Sequence, residues 1–181
     1  MTLLRSIILS AVAATIVTGA AVISGHAQRG DLITFPADYA KGVLYQTVDR
    51  ADLKQVRQLY ASSQAAIDAA KAGKPLPDGT VLTMVQYAAQ VDDKGEPVKG
   101  PNGRFVRTEK IVGYTVMEKR PGWGKDVPEE IRNGDWQYQA YLSDRTPNPK
   151  AVLAACFKCH LPLTAKQDFV FSWDGLRTVA K

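Results

Sequence analysis

Apolar and polar positions change their period several times along this chain, and the changes mark out its elements. From Thr80 to Gln90 the strand-forming residues Val81, Thr83, Val85 and Tyr87 alternate with their neighbours, the period of a β-strand with one buried face. Ile111 to Glu118 and the shorter Phe105-Val106 read as returning strands, and Asp92 to Gly103 between them, rich in Asp, Lys, Gly, Pro and Asn, reads as an exposed hairpin loop. Trp136 to Leu142 is again strand-like, with Trp136, Tyr138, Ala140 and Leu142 on one side. Val43-Leu44-Tyr45 follows an extended lead-in and a helical turn broken at Pro36. Val56 to Tyr60 fits a helix face and a strand equally. Gln64 to Lys71 is alanine-rich, with Ser62 available as its N-cap and Gly73 and Pro75 beyond its end, and predicts a helix. A second helix is expected over Lys150 to His160, closed by Pro162. Strands joined by hairpins, with few helices, predict an α+β fold: an antiparallel sheet with segregated helices, one of them near the C-terminus.

Length and composition narrow the class. The chain has 181 residues, enough for one domain with a core and a cofactor pocket. Met1 to Ala27 reads as a cleaved export signal, with Arg5 ahead of the apolar run Ile7 to Ile23 and a small-x-small site at Gly25-His26-Ala27. That run is nearly long enough to span a membrane, so an uncleaved anchor is the alternative. Residues 28–181 then form a single domain outside the cytoplasm, periplasmic in a bacterium. The 23 Lys and Arg against 18 Asp and Glu leave a mild positive excess. These charges are scattered, which argues against nucleic acid and allows no more than weak docking of an acidic redox partner protein.

The chemistry is carried by Cys156-Phe157-Lys158-Cys159-His160. Two thiols three apart, with a histidine directly after the second, form the attachment pattern of a c-type haem. On a helix these positions share one face, so both thiols and the imidazole can meet one flat ligand. The thiols would add to its vinyl groups and His160 would coordinate the iron. A closed zinc site needs four ligands, yet Cys156 and Cys159 are the only cysteines and the one other histidine, His26, lies in the signal. A redox dithiol belongs beside a strand-helix-strand pattern that the flanking Pro147, Pro149 and Pro162 do not suggest. The position of the motif, after the sheet, also separates this chain from small helical haem proteins that carry it near their N-terminus. With one histidine in the mature chain, the sixth iron position falls to Met84 or Met117, or stays open to small ligands such as nitric oxide, carbon monoxide or hydroxylamine.

A resemblance follows from the order of several short motifs. Phe35-Pro36 with Tyr39, Val56-Arg57 with Tyr60, Pro77-Asp78-Gly79-Thr80-Val81, Gly134-Asp135-Trp136, the haem motif and Asp168-Phe169-Val170-Phe171 together resemble the cytochrome P-460 family, including its beta-type cytochromes c′. The resemblance implies an antiparallel sheet with helices, usually dimeric, holding one covalent haem c with a proximal histidine and a distal site for small nitrogen ligands. It leans Val56 to Ala61 toward strand and makes Arg57 a pocket residue suited to a propionate or a bound anion, against the alternative of a surface ion pair. Members that oxidise hydroxylamine carry a lysine cross-linked to the macrocycle. Counted from Asp78, that position here is Met84, which predicts no cross-link and makes hydroxylamine oxidation the less favoured activity. The family's distal carboxylate has one candidate, Asp144, whose alternative role is a loop cap. Two functions therefore stand beside each other: a five-coordinate haem binding small nitrogenous ligands, and a His/Met electron-transfer cytochrome.

Overall fold

The computed structural model describes residues 33–180; the predicted export signal lies outside them. Five antiparallel strands make one sheet in sequence order: β1 (Val43–Arg50), β2 (Gln55–Ala61), β3 (Val81–Ala89), β4 (Arg107–Lys119) and β5 (Trp136–Tyr141). Three short helices accompany it: α1 (Gln64–Lys71), α2 (Leu153–His160) and α3 (Trp173–Thr178). The α+β class expected from the hydrophobic pattern is the one found. Among the described residues no helix is long and apolar enough to cross a membrane.

The sheet is covered on both faces, which explains where the pattern was clear and where it was not. One face carries Leu82, Met117, Trp136 and Tyr138, packed with the buried Ala66, Ile67 and Ala70 of α1, Phe157 of α2 and Leu176 of α3. The other carries Val85, Tyr87, Tyr114, Val116 and Tyr141 beneath Ile33, with Phe35, Tyr39, Tyr60 and Trp123 against them. Edge-to-face aromatic pairs tie the lead-in there, including Phe35 with Tyr114 at 4.9 Å and Tyr39 with Tyr60 at 5.3 Å between centroids. In β2, Val56 serves the second face while Leu59 packs against the first, so a doubly covered strand shows no clean alternation.

Several boundaries differ from expectation. Val106 stays outside the sheet proper, and Phe105 makes only an isolated bridge to Lys99, while β4 begins at Arg107 and runs unbroken. Polar Thr108 to Lys110 belong to this strand because Arg107 pairs with Ala89 and the Thr108 hydroxyl donates to the Ala88 carbonyl at 2.8 Å. Leu142 falls beyond β5, in a turn where its N–H donates to Thr146. Ser62 does not cap α1; its hydroxyl accepts from the Val81 N–H at 3.0 Å, and Ser63 occupies the cap position. The helix expected from Lys150 starts only at Leu153, because Asn148 holds Lys150 and Ala151 in a turn. α3 was not anticipated: six residues with a central glycine form a helix by packing on α1 and β1.

The turn Pro77-Asp78-Gly79 opens β3 as its sequence predicts. Gly79 has φ +81°, a conformation glycine alone adopts without strain. Its N–H donates to the Lys119 carbonyl at 2.7 Å, which ties the start of β3 to the end of β4.

Candidate functional site

Between the first face of the sheet and the chain from α2 to Ser172 lies a cavity of about 860 Å³. That volume is within the roughly 300–1,000 Å³ of typical cofactor sites. The strands present it with rows of facing residues. Gln46, Leu59, Met84, Thr115 and Ala140 form one row across the five strands, and Ala61, Leu82, Met117 and Tyr138 form the next. Val48 and Arg57 begin a third row at the far end. Most of the wall is therefore aliphatic or thioether, with the Thr115 hydroxyl beside Met84. Cys156, Cys159, His160 and Phe171 line the side facing the sheet.

Of the residues singled out from the sequence, Cys156, Cys159, His160, Met84, Met117 and Arg57 border this one cavity. Cys156 is half-buried and Cys159 exposed, and neither is in a disulfide. Burial, and then the neighbouring Cys159, push the Cys156 thiol up. A redox dithiol needs the opposite shift, toward thiolate. Among the described residues no three Cys, His, Asp or Glu side chains gather around a common point as metal ligands. The two thiols and the imidazole all border the cavity from α2.

His160 ends α2 and is oriented by its neighbours. Its Nδ1 lies 2.7 Å from the Phe169 carbonyl oxygen. A carbonyl only accepts, so Nδ1 carries the proton and Nε2 keeps its lone pair free for a metal. Burial lowers the imidazole's pKa, with the Phe169 hydrogen bond opposing in part, so burial favours the neutral, ligating form. Tyr138 and Phe171 flank the ring, at 4.8 and 4.9 Å between centroids.

The carbonyl that orients His160 belongs to an unusual piece of backbone. Asp168 (φ 46°) and Phe169 (φ 58°) are consecutive left-handed residues, a conformation costing roughly 1–2 kcal/mol for each non-glycine residue. Nothing in the hydrophobic pattern announces it.

Arg57 reaches the cavity without a carboxylate partner among the described residues; both its Nε and a terminal nitrogen donate to Gln55 Oε1 at 3.1 Å. Burial, and then the charge of Arg50, lower its pKa, so this end of the cavity favours an anion. The surface ion pair considered for Arg57 is not formed. Arg50 also lines the cavity but is held by Asp52 at 2.6 Å. Asp144 does not reach the cavity: it sits on an exposed turn and accepts from the Thr146 N–H and hydroxyl at 2.9 and 2.6 Å. It is a loop cap. Tyr45, Gln46, Thr115 and Tyr138 also line the cavity, and no local motif marks them. The β3 alternation does place residues on opposite faces, and it sends Met84 to the cavity side.

Residues 36–172 match the sequence model of the Cytochrome P-460 family, which is most of the chain. This chain belongs to the cytochrome P-460 family. No curated protein matches it. Membership makes it a haem protein that binds small ligands, and the cavity fits that cofactor in volume, in its apolar wall and in a free imidazole Nε2. The P-460 match spans from the lead-in at Pro36 to Ser172, thus enclosing the whole cavity.

Proposed function

We propose that this cytochrome P-460 protein holds one haem c through thioethers from Cys156 and Cys159, with His160 as its only protein ligand to iron, and that it binds nitric oxide and similar small neutral molecules on the opposite side. When bound, the haem supplies an iron with an open coordination site. One observation carries the reading: among the described residues, those bordering the cavity include no carboxylate, no lysine and no second imidazole. Hydroxylamine oxidation releases protons, and the hydroxyls and amides that stand among Leu59, Leu82, Met84 and Met117 are poor bases for taking them. Such a wall suits an uncharged ligand. His160 holds the cofactor from its side with Nε2, while Arg57 compensates a propionate or another anion at the cavity's far end. The charged side chains bordering the cavity, Arg50 and Arg57, thus lie at one end of it.

Export to the periplasm is part of the same reading, since thioethers are formed outside the bacterial inner membrane and Arg5 with Ile7 to Ile23 supplies the address. A homodimer and a redox partner that resets the iron complete it. Optical titration of the reduced protein tests the ligand: nitric oxide and carbon monoxide each shift the Soret band at micromolar concentrations, and an unchanged spectrum at millimolar gas contradicts the proposal.

Met84 is the residue that separates this reading from a His/Met electron carrier, because it projects from mid-β3 into the cavity between Leu59 and Thr115. Met84→Ala is expected to leave a high-spin spectrum high-spin. Conversion from low to high spin would instead make Met84 the sixth ligand. The parent protein should also show no bond between the macrocycle and the polypeptide beyond the two thioethers, which peptide mapping of the haem fragment checks.

A further inference from the structure

Asp168 is buried behind α2 and takes no part in the cavity wall, yet four hydrogen bonds converge on it and its partner. The Leu76 N–H donates to its Oδ2 at 2.8 Å. The Lys119 ammonium lies 3.1 and 3.0 Å from its two oxygens, and also donates to the Leu76 carbonyl at 3.0 Å. Both side chains are largely enclosed, with 14% of Lys119 and 9% of Asp168 exposed. The anchors are rigid: Lys119 closes β4, and the turn after Leu76 is bonded to the Lys119 backbone through Gly79 and Thr80. Asp168 therefore fastens the segment after α2 to the end of the sheet. It does so at the first of the two left-handed residues, one position before the carbonyl that meets His160 Nδ1.

We propose that Asp168 is a positioning residue for His160. Held by Lys119 and Leu76, it keeps the Phe169 carbonyl pointed at the imidazole Nδ1–H, and so sets the ring's orientation and the electron-donating strength of Nε2. The inference rests on His160 being the iron ligand. The physical basis is that consecutive left-handed residues relax toward ordinary backbone angles unless something opposes it. A carbonyl hydrogen bond at the outer nitrogen makes an imidazole a stronger donor to its metal. The buried ion pair couples these two facts, because loosening Asp168 rotates the peptide whose oxygen serves His160. A purely structural clamp would lower stability and leave the iron's electronic state alone.

The test is resonance Raman spectroscopy and redox titration of the reduced holoprotein, comparing the parent with Asp168→Asn, Lys119→Gln and the control Asp49→Asn. Asp49 pairs with Arg104 at 2.7 Å on the surface, so its loss affects stability without reaching His160. Asp168→Asn is expected to broaden the iron–imidazole stretching band, move it to lower frequency and raise the reduction potential. Lys119→Gln leaves the Leu76 bond to Asp168 in place and gives a smaller shift of the same sign; if Asp168→Asn does not fold, this variant decides alone. Asp49→Asn leaves band and potential at the parental values. A parental band in both Asp168→Asn and Lys119→Gln, accompanied by lower thermal stability, overturns the proposal while leaving His160 as ligand. A His160→Ala variant that keeps the parental band overturns the ligation by His160, and this inference with it.

Discussion

Cys156→Ser/Cys159→Ser, exported and purified under native conditions, is expected to lose every covalently held haem. Acidified organic solvent should then extract all remaining pigment, whereas the parent should keep its colour in the polypeptide phase. The effect would be all-or-none because, among the described residues, Cys156 and Cys159 are the only thiols, one on the half-buried side of α2 and the other at its exposed edge. The single variants retain one bond and resist extraction. His160→Ala should behave differently. It keeps both thiols, so pigment stays with the protein, but the spectrum loses the signature of axial imidazole. Extraction of colour from the parent would refute the attachment, and retention by the double variant would place the bond elsewhere.

Phe157→Ala is expected to be the most destabilising single change, although Phe157 occupies a position that the attachment motif leaves open. Its side chain is fully buried, stacks edge-to-face on Tyr138 at 4.8 Å, and its carbonyl accepts from Asn133 at 3.1 Å. Removing a buried phenylalanine costs about 3–5 kcal/mol. For a chain of this size that lowers the melting temperature by roughly 6–20 °C, at about 2–4 °C per kcal/mol. Because Phe157 fastens α2 to β5, the loss also loosens the helix that bears both thiols and His160. Lys158, its neighbour, is exposed, and Lys158→Ala should stay within about 0.5 kcal/mol of the parent. Thermal melting of the two variants side by side checks the contrast. Equal melting temperatures would mean that α2 is not anchored through this side chain.

What could be read in advance depended on whether the signal was local. Strand β3 announced itself because Val81, Thr83, Val85 and Tyr87 all turn to one aromatic core while the turn at Gly79 sets the register. Helix α1 did so through its alanines and flanking breakers. β2 needed the family resemblance, since Val56 and Leu59 bury opposite faces and no alternation survives. α3 could not be foreseen, because six residues with a central glycine have no helical tendency of their own and are held by tertiary contacts.

The same division runs through the candidate site. Cys156, Cys159 and His160 are readable because one helical turn must bring them to one face. Arg57 is marked only by the family pattern, whereas Met84 stands out also as one of two methionines beyond the signal, and both border the cavity. The Asp168–Lys119 pair was invisible: its members are far apart in sequence, and an ion pair between β4 and a segment beyond α2 leaves no periodic trace. The Asp-Phe-Val-Phe element belongs to the family pattern, but its two left-handed residues and their link to His160 arise from the fold. Asp144, the candidate for the family's distal carboxylate, is a turn cap, its alternative role.

The central claim is a haem bonded through sulfur to α2, and the intact mass of the exported protein, measured after denaturation, tests it most directly. The expected mass is that of the chain from Gln28 plus one haem, unchanged by solvent extraction. A mass equal to the polypeptide alone, from a sample without a Soret band, would contradict it.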